Sequence, residues 1–496
     1  MSTTKYLYTT EEIAVTMKVS WWLLLLVLRD CVAWEATWES LDSRPLPPWY
    51  DEAKFGIFTV WGVYSVPSYI TSWFQERWLR SKYHDFIEFV NKTEVASRFA
   101  YNDYAERFRA ELYDPAAWAD LFANSGAQYT VWVSKHHDGY CTWNSTRVAA
   151  TRGWNSVDVG PRRDLLGDFA NAIKQTVSPY TNQTIRFGAY HSMYEWFNPA
   201  YIQDRQDNYT KRRFPPFKTI PELYDLVEQY EPELIWSDGA FEAPSEYWQS
   251  TQFLAWYSTN SSVAKTAVWN DRFGRGCKCR NGGFFTCTDR YGPGRLVPHK
   301  WEDATSIDTN AWQFSRLNHY QHYIPTQTLI HQLIEAVAFN GNYLLAVGPE
   351  ADGTIPPILV DRLVGIGAWM KVNGEAIYGT RPFAVAQNET DTYYTTKAGK
   401  LYAMVTNWPR GGQPLYLAAP DTSTSTSVTM LGVEEPLEWS PGVNSTTTTG
   451  LQIHMPKLTP NKVPCSHAWT IVLTNLRNYK QYVTPPARKS SSDSSS

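Results

Sequence analysis

The sequence predicts an α/β protein, in which a (β/α) TIM-like barrel is followed by a C-terminal antiparallel β-sandwich domain. Two patterns carry this prediction. In the first part of the chain, segments with apolar residues at helical spacing alternate with short apolar runs, which is typical of parallel strands joined by crossover helices. From about residue 381, apolar and polar residues alternate around turn signals, as antiparallel hairpins require.

The helix–strand alternation is explicit in three successive pairs. The first helix begins at Asp114 and Pro115, an acidic N-cap followed by a proline at the first helical position, and it ends at Gly126. Polar residues close the strands and no glycine-rich dinucleotide fingerprint follows one, so a barrel is favoured over a doubly wound sheet. The predicted barrel strands are 129–133, 185–190, 234–238 and 341–347, with later helices at 164–174, 221–230 and 357–371; the predicted sandwich strands are 391–396, 401–406, 428–431 and 469–473.

Asp238 stands out because it ends an apolar strand and is followed at once by Gly239. An acid at the C-terminal tip of a strand lies where barrels and open sheets keep their chemistry. The same dipeptide also suits an ordinary Asp-Gly turn. Polar clusters at 135–140 and 187–192 close the two preceding strands, which favours the functional interpretation.

The N-terminus predicts entry into the secretory pathway. Residues 17–28 have a charged start and an apolar core of about ten residues, too short for a bilayer span and right for a signal peptide. Residues 31–33 offer a cleavage site, and residues 1–16 resemble an upstream extension. No later segment is apolar enough to cross a membrane. Glycosylation sequons begin at Asn91, Asn144, Asn182, Asn208, Asn260, Asn388 and Asn444.

The cysteines fit an oxidising compartment. Of the 6 cysteines, Cys31 leaves with the signal peptide. The spacing of Cys277, Cys279 and Cys287 suggests one local disulfide, whereas Cys141 and Cys465 have no evident partner. Zinc binding is the alternative for the cluster, but no fourth ligand has zinc spacing, so no metal or other cofactor is expected.

Composition limits the remaining classes of function. The chain of 496 residues exceeds one typical domain, and a net charge of −4 argues against a nucleic-acid partner. The counts of 23 Trp and 31 Tyr suit stacking on sugar faces, although large aromatics are also ordinary core residues. The predicted division is extension and signal peptide 1–33, barrel 34–375, sandwich 376–480 and a disordered Ser-rich tail 481–496.

In their order along the chain, several motifs resemble those of the α-L-fucosidase family of retaining glycoside hydrolases, animal or lysosomal branch. The similarity extends from about Trp49 to about Leu473. The motifs are 49–58, His136-His137, Tyr190-His191, 236–239, 270–273 and 300–302. The resemblance implies a barrel, a C-terminal sandwich and release of terminal α-L-fucose from glycoproteins, glycolipids or oligosaccharides. It also implies a lysosomal or secreted protein and leaves a homo-oligomer open.

The resemblance assigns roles to individual residues. A retaining glycosidase needs a carboxylate nucleophile and a second carboxyl group as acid/base. Asp238 takes the nucleophile's position in its motif, while both Asp289 and Glu302 are candidates for the acid/base, with a preference for Asp289. The expected sugar-binding residues are His136, His137, Tyr190, Arg272, Trp61, Trp73 and Trp312. For the His pair a structural role, and for Arg272 a plain salt bridge, are the alternatives.

Two departures from the family pattern bear on activity. Val60 stands where a fucose-binding His is expected, and Ser72 stands where a Glu is expected. Three hypotheses follow: an exo-acting α-L-fucosidase, a fucosidase-like sugar-binding protein with little turnover, and a glycosidase of the same fold acting on a related sugar such as an α-L- or β-D-galactoside.

Overall fold

A computed structural model describes residues 33–80, 82–95, 98–145, 147–442 and 450–483. The predicted signal peptide and its extension, the sequon at Asn444 and the tail beyond residue 483 lie outside these ranges. Within the predicted tail, the backbone N–H of Tyr482 donates to Pro382 (2.9 Å), so the first tail residues pair with the second domain.

A parallel sheet of seven strands forms the first domain, in the order β5-β4-β3-β2-β1-β7-β6. These strands are almost entirely buried, which explains the long apolar runs in most of them; β6, with Glu302 and Asp303, is the exception. The strands are β1 (Phe55–Thr59), β2 (Tyr129–Lys135), β3 (Arg186–Ser192), β4 (Leu234–Asp238), β5 (Val268–Trp269), β6 (Trp301–Ser306) and β7 (Gly341–Val347).

A short segment closes the sheet into a barrel. The N–H groups of Gly283 and Phe284 donate to the carbonyl of Trp269 in β5. Phe285 donates to Lys300, and Glu302 in β6 donates back to Phe285 (both 2.9 Å). Residues 283–285 therefore fill the gap between β5 and β6, and the barrel fold predicted from the helix–strand alternation is confirmed.

Helices cover the outside of the barrel. The helix that begins at Pro115 ends at Asn124, two residues before the predicted end at Gly126. The carboxylate of Asp114 accepts hydrogen bonds from the N–H groups of Ala116 and Ala117, as its N-cap role requires. The helix predicted from Pro221 begins earlier, at Thr219. The helices are α1 (Trp38–Asp42), α2 (Pro48–Ala53), α3 (Phe74–Leu79), α4 (His84–Thr93), α5 (Asn102–Arg107), α6 (Pro115–Asn124), α7 (Leu165–Gln175), α8 (Pro199–Gln206), α9 (Phe214–Phe217), α10 (Thr219–Tyr230), α11 (Ser245–Trp248), α12 (Ser250–Thr259), α13 (Thr326–Ala338) and α14 (Pro357–Asn373).

Two antiparallel sheets form the second domain and share one apolar core. The larger sheet has the order β13-β16-β11-β10-β8, with β9 beside β10, and the smaller has the order β12-β15-β14. The strands are β8 (Arg381–Pro382), β9 (Asn388–Glu389), β10 (Thr392–Lys397), β11 (Lys400–Val405), β12 (Leu415–Leu417), β13 (Ser427–Met430), β14 (Trp439–Pro441), β15 (Leu451–Ile453) and β16 (Trp469–Thr474). The predicted sandwich and its β10–β11 hairpin are confirmed.

The last barrel helix joins the two domains. The indole N–H of Trp369 in α14 donates to the carbonyl of Ala468 (2.9 Å), and the hydroxyl of Thr470 in β16 donates to Asn373 (2.7 Å). Among the described residues, no helix combines the length and the apolar character needed to cross a lipid bilayer.

Candidate active site

A pocket of about 250 Å³ opens at the C-terminal ends of the barrel strands. This is the face on which parallel barrels carry their active sites, because the loops after the strands converge there. Its walls come from the ends of β1 to β6 and from the loops that follow them. The lining residues are Phe58, Val60, Ser72, Trp73, Val133, His136, His137, Tyr190, Trp236, Asp238, Phe241, Arg272, Lys278, Thr288, Asp289 and Trp312.

Asp238 ends β4 on the floor of this pocket. Its carboxylate accepts hydrogen bonds from Arg272 Nη1 (3.2 Å) and from the Tyr190 hydroxyl (3.1 Å), and His137 Nε2 lies 3.5 Å from Oδ2. Burial opposes ionisation, but His137 and the Arg272 charge outweigh it, so the pKa of Asp238 lies well below its ordinary value. The group is therefore a carboxylate at any physiological pH.

Arg272 links two carboxylates through one guanidinium. Its Nη1 contacts Asp238, its Nη2 donates to Asp289 (2.7 Å), and its Nε donates to the hydroxyl of Thr286 (2.8 Å). The guanidinium also lies over the ring of Trp236, 4.5 Å from the centroid. Because one planar group contacts both acids, Asp238 and Asp289 lie close together across the pocket.

The two candidates for the acid/base occupy different environments. Asp289 lines the pocket and its side chain is 56% exposed. Glu302 is fully buried beneath the pocket floor, where Tyr50 and Tyr129 donate to one carboxylate oxygen (2.8 and 2.6 Å) and Trp236 donates to the other (2.9 Å). Burial raises the pKa of Glu302 against the effect of these hydrogen bonds. Glu302 does not line the pocket.

The loop that carries Asp289 is held in place by a disulfide and by hydrogen bonds. The predicted local disulfide joins Cys279 to Cys287. Asp271 accepts hydrogen bonds from the N–H groups of both of these cysteines and of Thr286. Asp271, Cys279 and Cys287 lie close enough together to be considered as metal ligands. However, a sulfur atom in a disulfide offers no thiolate to zinc, and the Asp271 carboxylate already accepts hydrogen bonds from backbone N–H groups.

The two histidines after β2 face the pocket beside aromatic rings. Burial and the neighbouring His137 hold the pKa of His136 well below its ordinary value, so its imidazole is neutral. His136 Nδ1 is buried and, within the described part of the chain, has no hydrogen-bond partner. His137 Nδ1 lies 2.6 Å from the Ser192 hydroxyl, and the ring of Trp73 meets His137 edge-on at 5.4 Å. Polar nitrogens beside aromatic walls suit a sugar hydroxyl.

Most of the sequence-predicted sugar-binding residues come together here, since His136, His137, Tyr190, Arg272, Trp73 and Trp312 all line the pocket. Trp61 does not. It is 1% exposed, packs against Trp118 and Trp132 outside the sheet, and donates its indole N–H to the carbonyl of Glu350 (2.7 Å). It follows Val60 directly, and successive residues at a strand end point to opposite sides.

Both departures from the family pattern lie in the pocket wall. Val60 and Ser72 line it, and they are only 3% and 2% exposed. The valine presents methyl groups and the serine a short hydroxyl where longer polar groups were expected. The pocket therefore keeps its carboxylates and loses hydrogen-bonding capacity on the β1 side.

Several further residues of the site were not singled out from the sequence. The pocket is also lined by Phe58, Val133, Trp236, Phe241, Lys278 and Thr288. Asp271 organises the loop beneath it. Asp271 could have been found, because it lies inside the 270–273 motif. Lys278 lies between two cysteines of the predicted disulfide region, which was a signal for proximity to the site. Phe241 carried no distinguishing signal.

Comparison with known proteins agrees with this geometry. Residues 29–375 match the alpha-L-fucosidase family and residues 387–474 match the alpha-L-fucosidase C-terminal domain. The chain is 44% identical to an alpha-L-fucosidase of Branchiostoma floridae, over 90% of this chain and 98% of the relative. It is 42% identical to the tissue alpha-L-fucosidase of Homo sapiens, over 89% and 91% of the two chains.

Solved structures agree as well. The crystal structure of Thermotoga maritima alpha-fucosidase in complex with fucose has a TM-score of 0.71 at 27% identity and covers 89% of this chain and 100% of its own. The carboxylate-bearing pocket at the mouth of the barrel, together with the matches of both domains, identifies a glycoside hydrolase. The chain belongs to the α-L-fucosidase family.

Proposed function

We propose that this protein is an exo-acting retaining α-L-fucosidase, in which Asp238 is the nucleophile and Asp289 the acid/base. The observation that carries the proposal is the contact of Arg272 with both carboxylates in one pocket. Retaining enzymes need their two carboxyl groups only about 5 Å apart, because one attacks the carbon whose leaving oxygen the other protonates.

In the first step an oxygen of Asp238 attacks the anomeric carbon of fucose. Asp289 gives its proton to the glycosidic oxygen, the bond between that oxygen and the anomeric carbon breaks, and a fucosyl ester of Asp238 forms. The low pKa of Asp238 supports the nucleophile's role, since it keeps the attacking group ionised. The exposure of Asp289 supports the acid's role, because its proton must be renewed from solvent.

In the second step the Asp289 carboxylate takes a proton from water, whose oxygen attacks the anomeric carbon of the ester. The bond to Asp238 breaks and fucose leaves with its original anomeric configuration. His136, His137 and Tyr190 are proposed to hold the sugar hydroxyls. Glu302 is assigned no proton-transfer role, because tyrosine and tryptophan donors surround it below the floor.

The proposed substrates are fucosylated glycoproteins, glycolipids and oligosaccharides. The proposed location is the secretory pathway, ending in a lysosome or outside the cell. The signal-peptide pattern of residues 17–28 and the sequons support it, as do tissue and plasma alpha-L-fucosidases among the relatives.

A second candidate rests on Val60 and Ser72. With two polar groups fewer, the pocket would bind fucose with little turnover, or accept a related sugar such as an α-L- or β-D-galactoside. Each missing hydrogen bond to sugar costs about 0.5–1.5 kcal/mol.

A panel of nitrophenyl glycosides separates these candidates. We expect turnover of the α-L-fucoside, with NMR showing that the first-formed fucose has the α configuration. Turnover of a galactoside in its place would favour the redirected site, and fucose binding in calorimetry without turnover would favour the binding protein. An initial β-fucose product would refute the retaining mechanism.

A further inference from the structure

The mouth of the pocket combines an exposed aromatic ring with a lysine. Phe241 is 45% exposed beside the pocket, in a short helical turn (Ala240–Glu242) three residues after the end of β4. The Nζ of Lys278 lies 5.9 Å from the centroid of that ring. Both residues line the pocket together with Thr288 and Asp289. They lie at its opening, where the group attached to fucose must leave.

Lys278 makes no direct ion pair in the described part of the chain, although the carboxylates of Asp238, Asp289 and Asp271 attract it over longer distances. Within the described ranges no carboxylate lies within 4.0 Å of its Nζ, and no hydrogen bond to it is found. Arg272, the other cation of the pocket, is matched by Asp238 and Asp289. Partial burial and repulsion by Arg272 lower the pKa of Lys278, while attraction by the three carboxylates acts against them.

The charge balance changes when the site is ready to react. When the proposed acid/base carries its proton for the first step, only Asp238 and Asp271 still attract Lys278, and neither contacts it directly. Asp238 is engaged by Arg272 and Tyr190, and Asp271 by backbone N–H groups of its loop. An anionic substituent on the departing group would give the ammonium a direct partner.

We infer that Phe241 and Lys278 form a leaving-group subsite that selects fucosides whose departing sugar carries a negative charge, as a sulfate or a carboxylate. The ring supports the face of that sugar, and the ammonium group contacts the anion. The inference rests on the proposed function, since it names the substrate class of the same site. Lys278 is a specificity-determining residue and takes no part in bond breaking.

Matched pairs of substrates test the subsite. We would measure kcat/KM for a 4-nitrophenyl fucoside and its ring-carboxylated analogue, and for a fucosylated disaccharide with and without a sulfate on the departing sugar. The wild type should favour each anionic partner by about three- to tenfold at low salt. The ratio of the two kcat/KM values should fall towards one as ionic strength rises, because salt screens the charge of Lys278 at the pocket mouth. The first pair tests a carboxylate and the second tests a sulfate.

Three variants decide the assignment. Lys278→Gln should remove the preference, Lys278→Arg should keep it, and Lys371→Gln, which changes an exposed lysine at the end of α14, should match the wild type. A wild type without preference, or a preference that survives in Lys278→Gln, overturns the inference. If no fucoside is turned over, the proposed function fails, and calorimetry of the same substrate pairs on the same variants still decides whether Lys278 selects the anion.

Discussion

At the scale of single residues, the two pocket acids share Arg272 but differ in their other surroundings. Both accept from its guanidinium, but Asp238 also accepts from Tyr190 and lies on the floor, whereas Asp289 is half exposed at the wall. A buried, hydrogen-bonded carboxylate stays ionised and can attack. An acid in contact with solvent can lose and regain a proton in each cycle.

Asp238→Gly removes the proposed nucleophile. We expect kcat on an aryl fucoside to fall by at least about a thousandfold. Added azide should enter the vacated space, restore part of the turnover and give an inverted fucosyl azide, which NMR detects. The melting temperature serves as a control for folding. Near-normal activity of a folded Asp238→Gly protein would refute the assignment.

Asp289→Ala and Glu302→Gln separate the two acid candidates. Without Asp289, a natural glycoside should lose about 100-fold or more in kcat/KM, while a dinitrophenyl fucoside, which needs no proton, should lose much less. Glu302→Gln should instead lower the free energy of unfolding by about 1–3 kcal/mol, because it disturbs a buried hydrogen-bonded carboxylate. Its activity loss should be the same for both substrates. A leaving-group dependence at Glu302 alone would reverse the assignment.

Val60→His and Ser72→Glu restore the polar groups expected on the β1 side of the pocket. Each restored hydrogen bond should raise kcat/KM on aryl fucosides about tenfold if it contributes near 1.4 kcal/mol. Calorimetry should show a similar gain in affinity for an iminosugar mimic of fucose. The control variant Val60→Ala should show no gain in either measurement. Flat or falling turnover in the double variant would mean that the pocket has been rebuilt around another arrangement.

At the scale of elements, the sequence predicted the parts whose signals are local. The cap at Asp114, the strand ending in Asp238 and the hairpin around Gly399 depend on neighbouring residues, and each lies where predicted. The closing segment 283–285 is too short to show a strand pattern, and only its hydrogen bonds to β5 and to β6 with the residue before it reveal its role. Trp61 was predicted to bind sugar but lies outside the pocket for a related reason. A motif gives the position of a residue along a strand, but not the face of the sheet to which its side chain points.

The choice between Asp289 and Glu302 shows the same limit. Both belong to motifs in the right order, and nothing local to either reveals which one reaches the pocket. The answer depends on Tyr50 and Tyr129, far away in sequence, which enclose Glu302 under the floor.

The loop that carries Asp289 is an element whose geometry can be loosened. In the double variant Cys279→Ser with Cys287→Ser, the loop loses its covalent link and is held by hydrogen bonds alone, among them those to Asp271 and Arg272. A misplacement of about 1 Å costs up to about 100-fold in rate, so kcat/KM on natural glycosides should fall, and that on dinitrophenyl fucoside should fall less. Stability should drop by about 2–3 kcal/mol.

Cys465→Ser is the matched control for this prediction, because Cys465 is a free, half-buried cysteine of the second domain. It should leave the ratio between the two substrates unchanged. Equal losses on both substrates in the loop variant would mean that the disulfide supports the fold without positioning the acid.

At the scale of the whole molecule, a charge cluster ties the bottom of the barrel to the sandwich. Asp51 in α2 contacts Lys54 (2.9 Å), Lys300 at the start of β6 (2.8 Å) and Arg381 in β8 (3.0 Å). The two lysines are almost fully buried, and the Asp51 side chain is 14% exposed. One carboxylate thus contacts three cationic side chains from both domains, at the end of the barrel opposite to the pocket.

Asp51→Asn should therefore lower the free energy of unfolding by about 3–5 kcal/mol, because it leaves buried cations unpaired. Burial opposes ionisation of Asp51, but its three cationic partners outweigh it, so its folded pKa lies below the unfolded value of about 3.9. Such a group stabilises fully above the unfolded pKa, and its contribution declines as the pH falls, since the unfolded carboxyl binds its proton first. Urea unfolding at pH 7 and at pH 3 should thus show a gap between wild type and variant that narrows in acid.

Asp361→Asn, which breaks a pair whose acid is 67% exposed, should cost less than about 1 kcal/mol at either pH. A loss in Asp51→Asn as small as in that control, or a gap that widens in acid, would show that the cluster does not stabilise the junction between the domains.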